Sequence, residues 1–150
     1  MTGFATALLI IPAAIWVGSI VFQAAVVAPA VFVDLNESTA RTFLRTLFPR
    51  FFRLGLICGV LMLAALIWLG TAAGWPSSVL SLGVVASAMV ILEAVSLAMV
   101  PRINAARDAG ETGQAAFSRL HRISVLLTLA ILVLGIGVLG FIAALAAQGV

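Results

Sequence analysis

The chain has 150 residues, and lysine is absent from it altogether; cysteine and histidine occur once each, as Cys58 and His121. Each shortage removes a class of chemistry. One cysteine excludes an internal disulfide and any multi-cysteine zinc site. One histidine excludes bis-histidine haem ligation within a single chain. No Ser/His/Asp triad and no paired-carboxylate site can be assembled from the pattern. Charge is scarce as well: 9% of residues are charged and 64% are hydrophobic. That is too few polar residues to cover a soluble domain, so lipid must solvate much of the surface.

What charge there is falls in two places. All eight arginines lie within residues 41–53 and 102–122. A net charge of +3 could point to nucleic acid. These arginines, however, flank long apolar runs, and the positive-inside rule accounts for them better, so no nucleic-acid partner is expected.

Four apolar stretches are long enough to span a bilayer: residues 4–33, 54–73, 79–100 and 123–147. They predict an all-α integral membrane protein, a four-transmembrane-helix bundle forming one membrane domain. The first stretch is about 45 Å long at helical rise, more than the ~30 Å hydrocarbon core, so it must tilt, kink or protrude. Ala28-Pro29-Ala30 has the look of a cleavage site, but no basic region precedes it and the apolar run is too long for a signal peptide. The segment is expected to be retained. Gly74-Trp75-Pro76-Ser77-Ser78 reads as a tight turn with Trp75 at the lipid–water interface. With both arginine segments on one side, segments 34–53 and 101–122 are cytoplasmic loops and both termini lie outside the cytoplasm, as expected for a bacterial inner-membrane protein.

In the first loop, Ala40, Phe43, Leu44, Leu47, Phe48 and Phe51 recur at helical spacing, with Arg41 and Arg45 turned away. This predicts a short amphipathic interfacial helix between spans one and two, ended near Pro49. In the second, Arg107-Asp108-Ala109-Gly110 reads as a turn, and Gln114–Arg122 leads helically into the fourth span. Each half is thus a span ending near a proline (Pro29, Pro101), a charged loop, a Phe-x-Arg helix and a second span. That layout reads as a parallel 2+2 repeat about an axis along the membrane normal, or equally as two hairpins alike by necessity.

Glu93 is the acidic residue inside a span. It lies nine residues from Arg102, roughly 13 Å below the helix end, where a charged acid costs about 2.5–3.5 kcal/mol on insertion scales. Gln23 lies roughly 16 Å deep by the same rise, measured from Asp34. The two are expected to meet, with Ser19, Ser96 and Thr128 near them. The site is either a proton- or cation-linked centre or a hydrogen bond that fixes helix register. At the arginine side, His121 with Arg119, Arg122 and Arg53 could form a pH-sensitive or phosphate-contacting group, or be a plain interfacial histidine. Cys58 and Met62, one turn apart, could offer soft ligands to copper, but thioethers in apolar helices are ordinary filler and no metal is predicted. Gly135-Ile136-Gly137-Val138-Leu139-Gly140 matches a dinucleotide-binding string by accident, since no strand precedes it. Those glycines, with Gly55 and Gly59, read as helix-packing or oligomer contacts.

Several blocks together resemble a known family: Val27-Ala28-Pro29-Ala30-Val31-Phe32, Leu47-Phe48-Pro49-Arg50-Phe51-Phe52, Pro101-Arg102-Ile103-Asn104, and Phe117-Ser118-Arg119-Leu120-His121-Arg122-Ile123-Ser124. In this order, from about Trp16 to Leu139, the chain resembles the transmembrane-protein-205-like family, domain of unknown function 4149. The resemblance implies a four-helix membrane protein without an assigned role. It draws attention to Pro29, Phe48, Pro49, Pro101, Phe117, His121 and Ser124. The family pattern often carries asparagine where Thr128 stands here. The layout is also similar to copper-resistance membrane proteins, whose histidines are not matched.

Three functions compete. The first is a non-enzymatic membrane protein acting through helix contacts, as an accessory subunit of a complex or as a homo-oligomer; small-residue faces favour it. The second is a small-molecule or proton/ion-coupled transporter with Glu93, Gln23 and His121 along the path. The third is a redox protein holding haem, copper or quinone, although no cofactor is predicted from the ligand set.

Overall fold

A chain this apolar must satisfy its backbone polar groups internally, and helices do so within one segment. A computed structural model describes residues 3–147, and among them there is no strand. The element order is α1 (Gly3–Phe22), a π-helical turn (Gln23–Val27), α2 (Ala28–Asp34), α3 (Glu37–Ala73), α4 (Ser77–Asp108), a 3₁₀ turn (Gly110–Gly113) and α5 (Gln114–Ala147). Four helical stretches are long and apolar enough to cross a membrane. They form a closed ring in which α3 packs on α1 and α4, and α5 packs on α4 and α1. The core runs along the axis through Leu9, Ala13 and Trp16 of α1, Met62 and Leu66 of α3, Ala86 and Met89 of α4, and Ile131 and Ile142 of α5.

Local chemistry sets the breaks. Asn36 ends the first helical stretch in extended backbone and caps α3, its side chain accepting a hydrogen bond from the Thr39 N–H at 3.0 Å. Gly74 closes α3 in the left-handed region (φ 73°), where a glycine carries no Cβ penalty. The Trp75 ring then folds back onto the bare Cα of Gly70. At the opposite end Gly113 is buried against the Ala106 carbonyl so closely that no larger residue fits.

The expected interfacial helix is not a separate element. The helix begun at Glu37 does not stop at Pro49 but runs on through the second span, 37 residues in one piece. Pro101 likewise lies inside α4, which continues to Asp108. An internal proline deletes one hydrogen bond and crowds the carbonyl four residues earlier, but the rest of a long apolar helix holds it in place. At 1.5 Å per residue α3 is about 55 Å long, well beyond a ~30 Å hydrocarbon core. Because the Gly74–Pro76 turn is tight, the surplus length emerges at the arginine end. The two arginine segments are therefore mainly helical extensions. Pro29 has a different effect: it follows the π-helical turn at Gln23–Val27, whose wider ring accommodates the missing N–H.

The amphipathic face of 37–53 packs inward, with one change of register. Ala40 and Leu44 are buried against Val31, and Phe52 is 2% exposed, whereas Phe43 turns outward. Arg41 and Arg45 are exposed, as their spacing required.

Candidate functional site

The middle of the bundle is built around a gap in α3. Gly55 and Gly59, one turn apart, present a face without side chains. Trp16 of α1 and Glu93 of α4 meet across it, although those two helices are diagonal in the ring and do not pack directly. A Cβ on Gly55 would overlap Glu93 Oε1 and stand 2.5 Å from Trp16 Nε1; one on Gly59 would strike Val90 and stand 2.9 Å from the Trp16 ring. Trp16 is 0% exposed and Glu93 1%. The indole N–H is the side-chain donor facing the carboxyl. The contact does not close into an aligned hydrogen bond, so Trp16 Nε1 and Glu93 Oε1 both stay buried without a partner. No arginine pairs with Glu93: the ion pairs among the described residues are Arg41–Glu37 and Arg45–Asp108. The result is a buried carboxyl facing one indole, with Cys58 a helical turn from Gly55.

None of the polar partners expected for Glu93 hydrogen-bonds to it. Gln23 sits half-exposed in the π-helical turn, and its side chain makes no hydrogen bond among the described residues. The other hydroxyls bond back to their own helices: Ser19 donates to the Trp16 carbonyl at 2.7 Å, Ser96 to Leu92 at 2.9 Å, and Thr128 to Ser124 at 2.9 Å. The depth reckoning explains the mismatch. Measured from Arg102, Glu93 matched Gln23; α4 runs on to Asp108, fifteen residues from Glu93, or about 22 Å. The same distance from Asp34 reaches Ser19, one turn from Trp16. The sequence signal missed was the indole itself, a polar N–H deep in an otherwise apolar span.

The arginine end holds a second polar arrangement. Arg45 of α3 pairs with Asp108 of α4, joining the two extensions. The Arg107 guanidinium lies 4.4 Å from the centre of the Phe117 ring, and His121 stacks on the same Phe117 ring at 5.7 Å, 9° from parallel. Burial first, then the charges of Arg41 and Arg45, holds Arg107 below the usual guanidinium range. Packing that takes the His121 ring partly out of water, with the Arg107 charge second, holds His121 below its ordinary value. Arg53, Arg119 and Arg122 are exposed and make no ion pair among the described residues, so His121 is joined to Phe117 and Arg107 instead.

The remaining candidates are placed as follows. Cys58 and Met62 are both buried in the core, with Met89 in the same cluster. No three His, Cys, Asp or Glu side chains come together among the described residues. Phe48 stacks on Phe52 with ring centres 6.1 Å apart, Pro49 is half-buried within α3, and Pro29 and Pro101 are exposed. Ser124 contributes its carbonyl to Thr128. Of the accidental dinucleotide string, Gly135 packs under Val17 and Met89, whereas Gly137 and Gly140 face open space.

Fold and site together define an integral membrane protein of four long helices, with a buried carboxyl at its centre and a charged groove at one end. The chain belongs to the family described as a domain of unknown function, DUF4149, whose model matches residues 11–112. That match runs from the middle of α1 into the 3₁₀ turn and includes Trp16, Gly55, Glu93 and Arg107, leaving the Phe117–Ser124 block beyond it. No curated protein and no solved structure matches the chain.

Proposed function

We propose that this protein is a non-enzymatic membrane component that works by presenting a helix face to another membrane-embedded chain, as an accessory subunit or within a homo-oligomer. One observation carries this reading. The outer surface between α4 and α5 holds an apolar groove of about 290 Å³, lined by Leu82, Val85, Val133, Gly137, Val138 and Phe141. A Cβ added at Gly83, Gly137 or Gly140 would meet nothing within 4 Å. Glycine in a helix interior costs about 1 kcal/mol relative to alanine, and here no packing within the chain offsets it. Small residues on a lipid-facing surface are what lets a second helix approach closely. The positive-inside rule supports placing the arginine end in the cytoplasm and both termini across a bacterial inner membrane. The test is Gly137→Leu, with association read by cross-linking and co-purification from native membranes. Loss of association with the fold retained is the expected outcome; unchanged association sinks the reading.

A second reading, a proton-linked transporter, is favoured by the unpartnered carboxyl of Glu93. Against it, Trp16, Met62 and Met89 fill the core beside that carboxyl, and Glu93 lines neither the outer groove nor the arginine-end groove. Proteoliposome flux that Glu93→Gln abolishes, with assembly intact, would establish transport.

A further inference from the structure

The arginine end carries a groove of about 790 Å³ between the α2–α3 junction and the ends of α4 and α5. Its walls differ in kind. One side is apolar: Val31, Leu35 and Leu44, with Phe32, itself 75% exposed. The other side is charged, with Arg41, Arg107, Glu37 and Glu111. Because the helices run past the hydrocarbon thickness at this end, the charged part stands at headgroup level and the apolar wall faces the acyl chains.

The charges are not used up within the chain. Arg107 is half-buried with its guanidinium face on Phe117, and it pairs with no carboxylate among the described residues. Its N–H edge therefore remains available for an anion. Arg41 stands nearby, held only by an exposed pair with Glu37, the kind of contact that contributes little. Glu111 makes no ion pair among the described residues. Two cations and two anions line the groove, so its rim is neutral overall. A purely anionic headgroup would be drawn by the arginines and repelled by the two glutamates. A phosphate carrying its own ammonium satisfies all four.

The geometry points to a binding site for one glycerophospholipid with a zwitterionic, amine-bearing headgroup: phosphate on Arg107 and Arg41, ammonium toward Glu111 and Glu37, and an acyl chain along Val31, Phe32 and Leu35. This site is separate from the α4–α5 groove and does not depend on it. The Arg45–Asp108 pair beside it ties α3 to α4, so a lipid held here would also clamp the ends of both helix extensions.

Native mass spectrometry of the full chain, released from nanodiscs of equal phosphatidylethanolamine and phosphatidylglycerol, tests it. One phosphatidylethanolamine per chain is expected, favoured at least about tenfold over phosphatidylglycerol, a difference of about 1.4 kcal/mol. Arg107→Gln should lower its retention at least about tenfold, in line with the loss of a charge-assisted hydrogen bond. Glu111→Gln should keep a lipid bound but shift the preference toward phosphatidylglycerol. Arg102→Gln, at an exposed arginine outside the groove, should change neither. Preferential retention of phosphatidylglycerol by the unsubstituted chain would overturn the assignment. So would displacement of the lipid by excess inorganic phosphate, or full retention in folded Arg107→Gln. If that variant does not fold, an unchanged lipid preference in Glu111→Gln overturns it instead.

Discussion

Glycines on the two sides of this bundle do opposite things. Gly55 and Gly59 face inward, where Trp16, Val90 and Glu93 occupy the space a methyl group would need. Gly83, Gly137 and Gly140 face outward, and a methyl group there would touch nothing. The residue type, the helical setting and the surrounding hydropathy are alike, so composition does not separate the two sets. The inner set is explained by the fold, because two side chains from diagonal helices cannot meet unless the helix between them is bare. The outer set is left unexplained by the fold, and that residue of unexplained design is the reason to look for a partner.

Substitutions sharpen this contrast in descending order of effect. Trp16→Ala should be the most damaging, costing about 3–5 kcal/mol through the cavity it leaves, read as a large drop in thermal unfolding temperature in detergent. Gly55→Ala should cost about 1–3 kcal/mol by overpacking, because the new methyl group must displace a buried indole or carboxyl. Tolerance of that change would mean the inner socket is looser than the packing implies. Glu93→Gln keeps the shape and an acceptor for the indole, and should shift stability by less than about 1 kcal/mol with association unaltered. The smallest effect is at His121. Its folded value is depressed, so its contribution is complete above the ordinary histidine value of about 6.5 and fades as pH falls through the lower folded value. NMR titration of this single histidine should give a midpoint below 6.5, and Arg107→Gln should raise that midpoint by removing the neighbouring charge.

The four spans and the Trp75 turn were legible in the sequence because each rests on local chemistry, apolar length in the one and a glycine in left-handed backbone in the other. The turn expected at residues 107–110 was placed two residues early, since Arg107 and Asp108 still belong to α4 and the chain turns from Ala109, with Gly110 in left-handed backbone. The amphipathic face of 37–53 was legible for the same reason as the spans. The continuity of α3 through Pro49 was not. Proline is a breaker in isolation, and only the rest of a long apolar helix overrides it. Glu93 was recognisable as a buried acid, yet its neighbour was misplaced, since depth was counted from Arg102 rather than from the true helix end at Asp108. Which glycines face inward also depends on helix rotation in the ring, and no single-helix pattern contains that. Arg107 passed unnoticed because its partner, Phe117, lies across the turn on another helix.

The most direct test sets one inner and one outer glycine side by side. Gly137→Leu and Gly55→Ala are each compared with the unsubstituted chain in native-membrane nanodiscs, measuring unfolding temperature and association by cross-linking. Gly137→Leu is expected to keep its unfolding temperature and lose association, whereas Gly55→Ala loses stability. Full association in Gly137→Leu would contradict the claim that the outer groove receives a partner helix.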